Sequence, residues 1–345
     1  MDSPPAELPV LNLALIGFSP AEQSAMELAL SRTCPGLNWR QSSVNEADAL
    51  FASGARATLV ADGFVQLGCG VAGARPVLID LSDTRRPLAF SQPVSAPTLA
   101  TLPTFDIRKP DSIEAMLVQF SGWLRPMAIQ FWLASRIVQE RLDLNSTVYH
   151  VSLDGRLQAI LSRRTGVGVL PIADPGRLVA AAVWARRPGL ADEIPGHFVQ
   201  APLPQILWQY AMRTTRNLLP TYFRSGPLYW CRAPQLPQRM FKDSHLMIVR
   251  EIANAPISFE ELGRRTKLAD AVLSRDLAAL RIVGAVTQDR KHATRSVAQA
   301  SRQSSASGEP ARGGRGVQTT RHGERRGPVD VADRTAPAPL APQNA

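Results

Sequence analysis

The residues able to do chemistry are scattered along this chain. Its five histidines, His150, His197, His245, His292 and His322, form no HxxxH or HExxH pair, and none stands at ligand spacing from a cysteine. The three cysteines, Cys34, Cys69 and Cys231, lie far apart with no CxxC pair. That argues against a disulfide framework and a zinc site, and it suits a reducing cytoplasm. No G-x-S-x-G elbow, Walker loop or kinase signature occurs. Carboxylates at conspicuous positions have local explanations. Asp154 precedes Gly155 in a hairpin signal, and Glu260 and Glu261 fall in a helix's first turn, where they complement its dipole. Asp243 beside His245 reads as a cap as readily as half of a general base. Gly68-Cys69-Gly70-Val71-Ala72-Gly73 matches G-x-G-x-x-G, but Pro76 and a strand follow it. A dinucleotide site needs a helix there, its N-terminus meeting the pyrophosphate, so the motif reads as a loop. No catalytic constellation emerges, and the expectation is a non-catalytic chain with no cofactor and no metal ion.

Charge is the next constraint. The formal net charge is +10, and from Asp289 onward ten Lys/Arg face five Asp/Glu, so about half of the excess lies in the tail. The remainder is spread in pairs such as Arg163–Arg164, Arg186–Arg187 and Arg264–Arg265. An anionic partner is one reading, and a basic tail on an ordinary domain is the other. No apolar run reaches the ~18 residues of a membrane span. The start of the chain has no basic segment followed by an apolar one, so neither membrane nor secretory signal is expected.

The elements that must position these residues begin with an alternation of strand and helix over residues 10–120. VLNLALIGF reads as a buried strand, and SPAEQSAMELALSRT as a helix with Ser19 as N-cap and Pro20 at the first helical position. LNWRQ is a second strand, NEADALFAS a second helix capped by Asn45, ATLVAD a third strand, PVLIDLS a fourth and FDIRK a fifth. A helix from Asp111 to Leu124 follows. This order predicts a parallel sheet with helices on both faces. On these residues the chain, over 10–125, resembles the receiver domain of response regulators. The resemblance places the phosphorylated aspartate at Asp62, the family's Ser/Thr at Ser82 and its Lys-Pro pair at Lys109–Pro110. It also implies magnesium-binding acids after the first strand, where this chain has Gly17-Phe18-Ser19. Without them Asp62 lacks the metal that would neutralise phosphoryl oxygens, so the expectation is a degenerate receiver.

An apolar helical stripe over 112–142, split by Pro126, serves either as core or as a homodimer face. An α+β middle domain, 126–240, opens with two turns, Asp154–Gly155 and Thr165–Gly166, that predict three antiparallel strands. Helices over Pro175–Arg187 and Leu203–Leu218 and a strand at Leu228–Arg232 follow. Aromatics here, among Arg213, Arg216, Arg224 and Arg232, either pack a core or stack on bases.

Residues 241–290 read as helix, capped helix, turn, helix, Gly284 and a short strand. Ser258 and Glu261 form a capping-box signature. The stretch resembles the small winged-helix modules of bacterial regulators. That resemblance implies a third helix offering Ser274, Arg275 and Arg281, with Arg264, Arg265 and Lys267 on phosphates. Modules of this kind also bind proteins, so DNA and a signalling protein partner both stand as expectations. The tail, 291–345, is rich in Arg, Gly, Ser, Pro and Ala without periodicity and reads as disordered. The expected fold class is therefore an α/β domain, an α+β domain and a small helical module. The expected function is a cytoplasmic regulator, with a pure protein-interaction adaptor as the first alternative. The second is a nucleotide-binding protein or enzyme using the Arg163–Gly168 or Gly68–Gly73 loop.

Overall fold

The computed structural model describes Glu7 and residues 9–32, 38–61, 63–68, 75–81, 86–142, 144, 147–188 and 190–293. The tail from residue 294, with the disorder expected there, lies outside the described residues. The chain divides into two compact units, residues 1–193 with 212–216 and residues 194–211 with 217–345.

The first unit begins with a parallel sheet of β1 (Val10–Ile16), β2 (Asn38–Gln41), β3 (Ala49–Ser53), β7 (Leu88–Ser91) and β8 (Thr104–Phe105). Their order is β2-β1-β3-β7-β8, all parallel. Counting only these strands, that is the doubly wound order 2-1-3-4-5. The intervening β4 (Ala57–Ala61), β5 (Phe64–Leu67) and β6 (Val77–Asp80) form a separate antiparallel meander. One face of the parallel sheet is covered by α1 (Pro20–Arg32) and α2 (Pro110–Trp123): Leu11, Leu13 and Phe51 pack with Met26, Ile113, Leu117 and Phe120. The other face meets the meander, where Ala14, Ile16, Leu50 and Ala52 pack with Val65, Leu67 and Ile79.

Two expectations are corrected here. Residues Ala49–Ser53, read as part of a second helix, are the central strand, buried at every position. A strand buried on both faces shows no alternation, so its run of small and apolar residues cannot be told from a helix segment by periodicity. Helices on both faces were also expected; the meander takes the second face instead. Consequently ATLVAD and PVLIDLS are strands, but they lie outside the parallel sheet. The fifth strand is also shorter than FDIRK, because Asp106 turns the chain by accepting from the Arg108 N–H at 2.9 Å.

α3 (Arg125–Glu140) begins directly after α2, the break falling at Leu124, next to Pro126 as expected. Most of the apolar stripe over 112–142 is consumed by the core of this unit, including Leu117, Phe120, Ile129, Phe131 and Leu133. The antiparallel strands β9 (Val148–Leu153), β10 (Arg156–Ser162) and β11 (Gly166–Val169) follow as expected. Asp154 and Gly155 both have positive φ, +51° and +76°, which is the two-residue turn whose twist matches a hairpin. The helix predicted over Pro175–Arg187 stops early. α4 (Pro175–Ala181), capped by Asp174, gives way to β12 (Val183–Arg187), which pairs with β9. Trp184 of β12 lies against Trp132 and under the Arg136 guanidinium, 4.6 Å from its ring centre.

The second unit holds β13 (Val199–Ala201), most of α5 (Leu203–Arg213), β14 (Pro227–Trp230), α6 (Asp243–Asn254), β15 (Ile257–Ser258), α7 (Phe259–Thr266), α8 (Asp270–Ile282) and β16 (Val286–Thr287). The Ser258 side chain accepts from the Glu261 N–H and caps α7 as expected. The short strand after Gly284 also forms. Its partner is β14, which precedes the three helices, in an antiparallel sheet ordered β15-β14-β16. Trp208, Tyr210 and Phe223 are buried, so these aromatics pack a core rather than offering rings to bases. No helix is long and apolar enough to cross a membrane among the described residues.

The segment 212–216 belongs to the first unit. Arg213 makes two bonds to the Asp48 carboxylate, one of 2.7 Å from Nη2, and Asp48 also accepts from the Asn12 N–H at 2.9 Å. Both side chains are largely buried. Removing one member of such a pair strands the other charge in a poorly hydrated place. Arg213→Ala is expected to lower unfolding stability by about 3–5 kcal/mol in urea titrations. A loss below ~1 kcal/mol, the scale of an exposed pair, shows that the pair does not anchor the segment.

Candidate functional site

In open parallel sheets, ligands bind at the carboxyl ends of the strands, where the strand order reverses. Here that point lies between β1 and β3. The chain leaves β1 through Gly17, Phe18 and Ser19 and leaves β3 through Ser53 and Gly54. Ser19 and Glu22 form a reciprocal capping box at the start of α1. The Ser19 N–H donates to Glu22 Oε2 at 2.6 Å, and the Glu22 N–H reaches Ser19 Oγ at 3.4 Å.

Arg56, which immediately precedes β4, reaches into this crevice. Its Nη1 donates to the Gly17 carbonyl at 2.5 Å and to Glu22 Oε2 at 3.0 Å, and stands 3.5 Å from Ser53 Oγ. Burial works against the charge on Glu22, but the Ser19 N–H and Arg56 outweigh it and hold this carboxyl below its ordinary pKa. The backbone also closes from the other side. Gly17 has φ +81°, and a Cβ there would stand 2.9 Å from the Gly68 carbonyl oxygen. Phe18 is buried beneath. The crevice is thus filled by a guanidinium, an ion pair and backbone.

The positions proposed for a receiver-like pocket are not brought together in the described residues. Asp62 and Ser82 lie outside them. Asp62 follows β4 and Ser82 comes two residues after β6, and these strands belong to the meander rather than to the parallel sheet. At the carboxyl ends of the parallel strands stand Ser53, the last residue of β3, and Ser91, the last residue of β7, with Ser91 Oγ accepting from the Gly54 N–H at 3.2 Å. Lys109 does precede the helix after the last parallel strand. Its ammonium is exposed and lies 3.5 Å from Asp106. Among the described residues no group of three or more His, Cys, Asp or Glu is placed to hold a metal ion. Arg56 and Glu22 were not singled out in the sequence. Their only signal was position, and it depended on reading Ala49–Ser53 as a strand.

The second candidate surface is α8. Ser274, expected on an exposed recognition face, is 5% exposed and accepts from Arg224 Nη2 at 2.8 Å. The same guanidinium makes two bonds to Asp270, at 2.9 and 3.0 Å, and lies over the Phe259 ring. Arg281 stacks over Phe223, 5.7 Å from its ring centre. The turn Thr221–Arg224 therefore occupies the side of α8 from which base contacts were expected. Arg275 is half-buried, with its Nε 3.3 Å from Asp276. Arg264, Arg265 and Lys267 are exposed on α7 and the turn after it, but both arginines pair with Glu261.

Beneath α8 lies a buried polar cluster. Asp276 and His245 are both fully buried, and Ser244 Oγ donates to Asp276 Oδ2 at 2.6 Å. His245 Nδ1 accepts from the Lys242 N–H at 2.9 Å, so the neutral ring carries its proton on Nε2. That Nε2 stands 3.4 Å from Asp276 Oδ1, in electrostatic contact but without hydrogen-bond geometry. Burial raises the Asp276 pKa, yet His245, Ser244 and Arg275 together pull it below the ordinary carboxylate range. With Asp276 and His245 closed off from solvent, the cluster ties α6 to α8.

Comparisons of the chain with family models, with curated proteins and with solved structures return no match.

A carboxyl whose pKa is depressed on folding adds stability above its unfolded value, about 3.9 for aspartate, and that stability is lost as pH falls through the folded value. Unfolding titrations from pH 6 toward pH 2 are therefore expected to show a loss of stability below about pH 4 that Asp276→Asn reduces. An unchanged acid limb in that variant contradicts the assignment.

Proposed function

We propose that this chain is a non-catalytic regulator. Its receiver-like α/β domain transmits state by docking rather than by phosphorylation. It is coupled to a helical, winged-helix-like module that engages a partner protein. The 2-1-3-4-5 strand order supports the receiver-like reading. The observation that carries the non-catalytic part is the Arg56 plug, bonded to the Gly17 carbonyl and Glu22 at the carboxyl ends of β1 and β3. Phosphoryl transfer onto a carboxylate needs acids that hold a metal against the phosphoryl oxygens. The loop after β1 supplies Gly17, Phe18 and Ser19, and β3 ends in Ser53. The covering of α8 by Thr221–Arg224 favours a protein partner for the module over base reading by this helix. A cytoplasmic location belongs to the same reading, on the cysteine pattern alone.

Incubation of the full chain with acetyl phosphate and magnesium tests it. Intact-mass measurement is expected to find no added phosphoryl group, in the natural chain and in Asp62→Asn alike. Stoichiometric labelling at Asp62 overturns the reading.

A further inference from the structure

The Glu7 carboxylate, on the segment just ahead of β1, is held by three consecutive residues that follow α5. Thr214 Oγ1 donates toward both of its oxygens, at 2.7 Å from Oε1 and 2.8 Å from Oε2. Oε1 also accepts from the Thr215 N–H at 2.6 Å and from Thr215 Oγ1 at 2.9 Å. Arg216 Nε lies 3.2 Å from Oε2. Two hydroxyls, a backbone N–H and a guanidinium thus converge on one carboxylate, which bonds to nothing else among the described residues. The Glu7 side chain is 8% exposed and that of Arg216 is 37% exposed, so the cradle has a side open to solvent.

Two contacts that do not involve Glu7 keep this cradle in shape. The Arg216 N–H donates to Thr214 Oγ1 at 3.1 Å, which leaves the Thr214 hydroxyl proton to point at the anion. One residue earlier, Arg213 is fixed by the Asp48 carboxylate and reaches the Val10 carbonyl at 3.4 Å. Emptied of Glu7, the turn presents donors already aimed at one point, one of them cationic, and donors without an acceptor are costly. A site ordered ahead of its ligand loses no affinity to ordering.

We infer that the Thr214–Arg216 turn is a receptor for a small oxyanion, carboxylate or phosphate, and that Glu7 fills it in cis. Glu7 itself displays the chemistry that the cradle takes: two oxygens of one anion, each met by more than one donor. Phosphate offers the same pair of oxygens with more charge. Tethered close to β1, Glu7 competes at an effective concentration on the order of mM, which a ligand has to match or outbind. The segment ahead of β1 is then a strap that the ligand releases. The inference does not depend on the regulator reading: the labelling experiment above and the titrations below fail separately.

Thermal unfolding of the full chain tests it, with sodium acetate or sodium phosphate exchanged for chloride at constant ionic strength. Glu7→Ala is expected to unfold at a lower temperature in chloride, and the anion that fits is expected to restore more than half of that loss, saturably. Adding Thr214→Val and Thr215→Val is expected to abolish the restoration. Glu7→Gln, which keeps the shape of the side chain, takes the place of Glu7→Ala should that variant not fold. Restoration by acetate alone marks a carboxylate receptor, and by phosphate alone a phosphate receptor. Release of the strap is read in the natural chain with a glutamyl endopeptidase, which has to take up the Glu7 side chain to cut after it. Cleavage there is expected to rise several-fold with the same anion, relative to a free peptide of residues 1–14. No restoration by either anion overturns the inference. Equal responses in Glu7→Ala and in the threonine variant mean an adventitious ion only and overturn it too. A cleavage rate that stays flat at anion concentrations restoring Glu7→Ala overturns the strap.

Discussion

A parallel sheet has two apolar faces, and neither can be left in water. The rest of the first unit follows from how this chain covers them. The central strand is Ala49–Ser53, with Phe51 turned toward α1 and α2 and Leu50 and Ala52 turned toward the meander. Phe51 lies 4.5 Å from Phe105 and 5.1 Å from Phe120, measured between ring centres, so a single buried ring ties β3 to β8 and to α2. Truncating such a ring typically costs ~3–5 kcal/mol. Using an antiparallel meander for the second face has a chemical consequence. It delivers Arg56 and Gly68 to the crevice where a doubly wound sheet ordinarily opens to a ligand. The covering of this face and the filling of the crevice share one cause.

The second unit is governed by buried polar groups. α8 is the helix in which base recognition was expected, but Asp276 on it is bound to Ser244, and Ser274 and Asp270 are both bound to Arg224. A helix whose polar side chains are already bonded inward has few left to reach a base edge. The arginines that gave the stretch its nucleic-acid appearance largely face carboxylates of their own unit, as Arg224 faces Asp270 and Arg265 faces Glu261. Arg186 and Arg187, on an edge strand that sequence reading took for helix, carry no ion pair among the described residues.

Local signals in the sequence were sound wherever the deciding interaction was itself local. The Ser19 cap, Ser258 with Glu261, the Asp154–Gly155 turn and the break near Pro126 are each settled within a few residues by backbone donors, positive φ or a missing N–H. Readings failed where the deciding interaction was distant. Ala49–Ser53 becomes a strand because β1 and β7 pair with it on both sides, and Val183–Arg187 because β9 does. The first misreading put Asp62 and Ser82 at the ends of parallel strands, and the second hid Arg186 and Arg187 in a helix.

By itself the sequence determined the alternating α/β beginning, the antiparallel hairpins of the middle and the three C-terminal helices. Each of these follows from spacing, capping and turn chemistry, which act over one or two turns of chain. Only the tertiary structure decided which strands share a sheet, and hence which residues stand at its carboxyl ends. It also decided that Arg56 fills that crevice, that Arg224 covers Ser274, and that Arg213 pairs with Asp48. These contacts join residues 34 to 165 positions apart. Such pairings depend on the burial of whole faces, a property of the packed sheet that no short stretch of sequence contains.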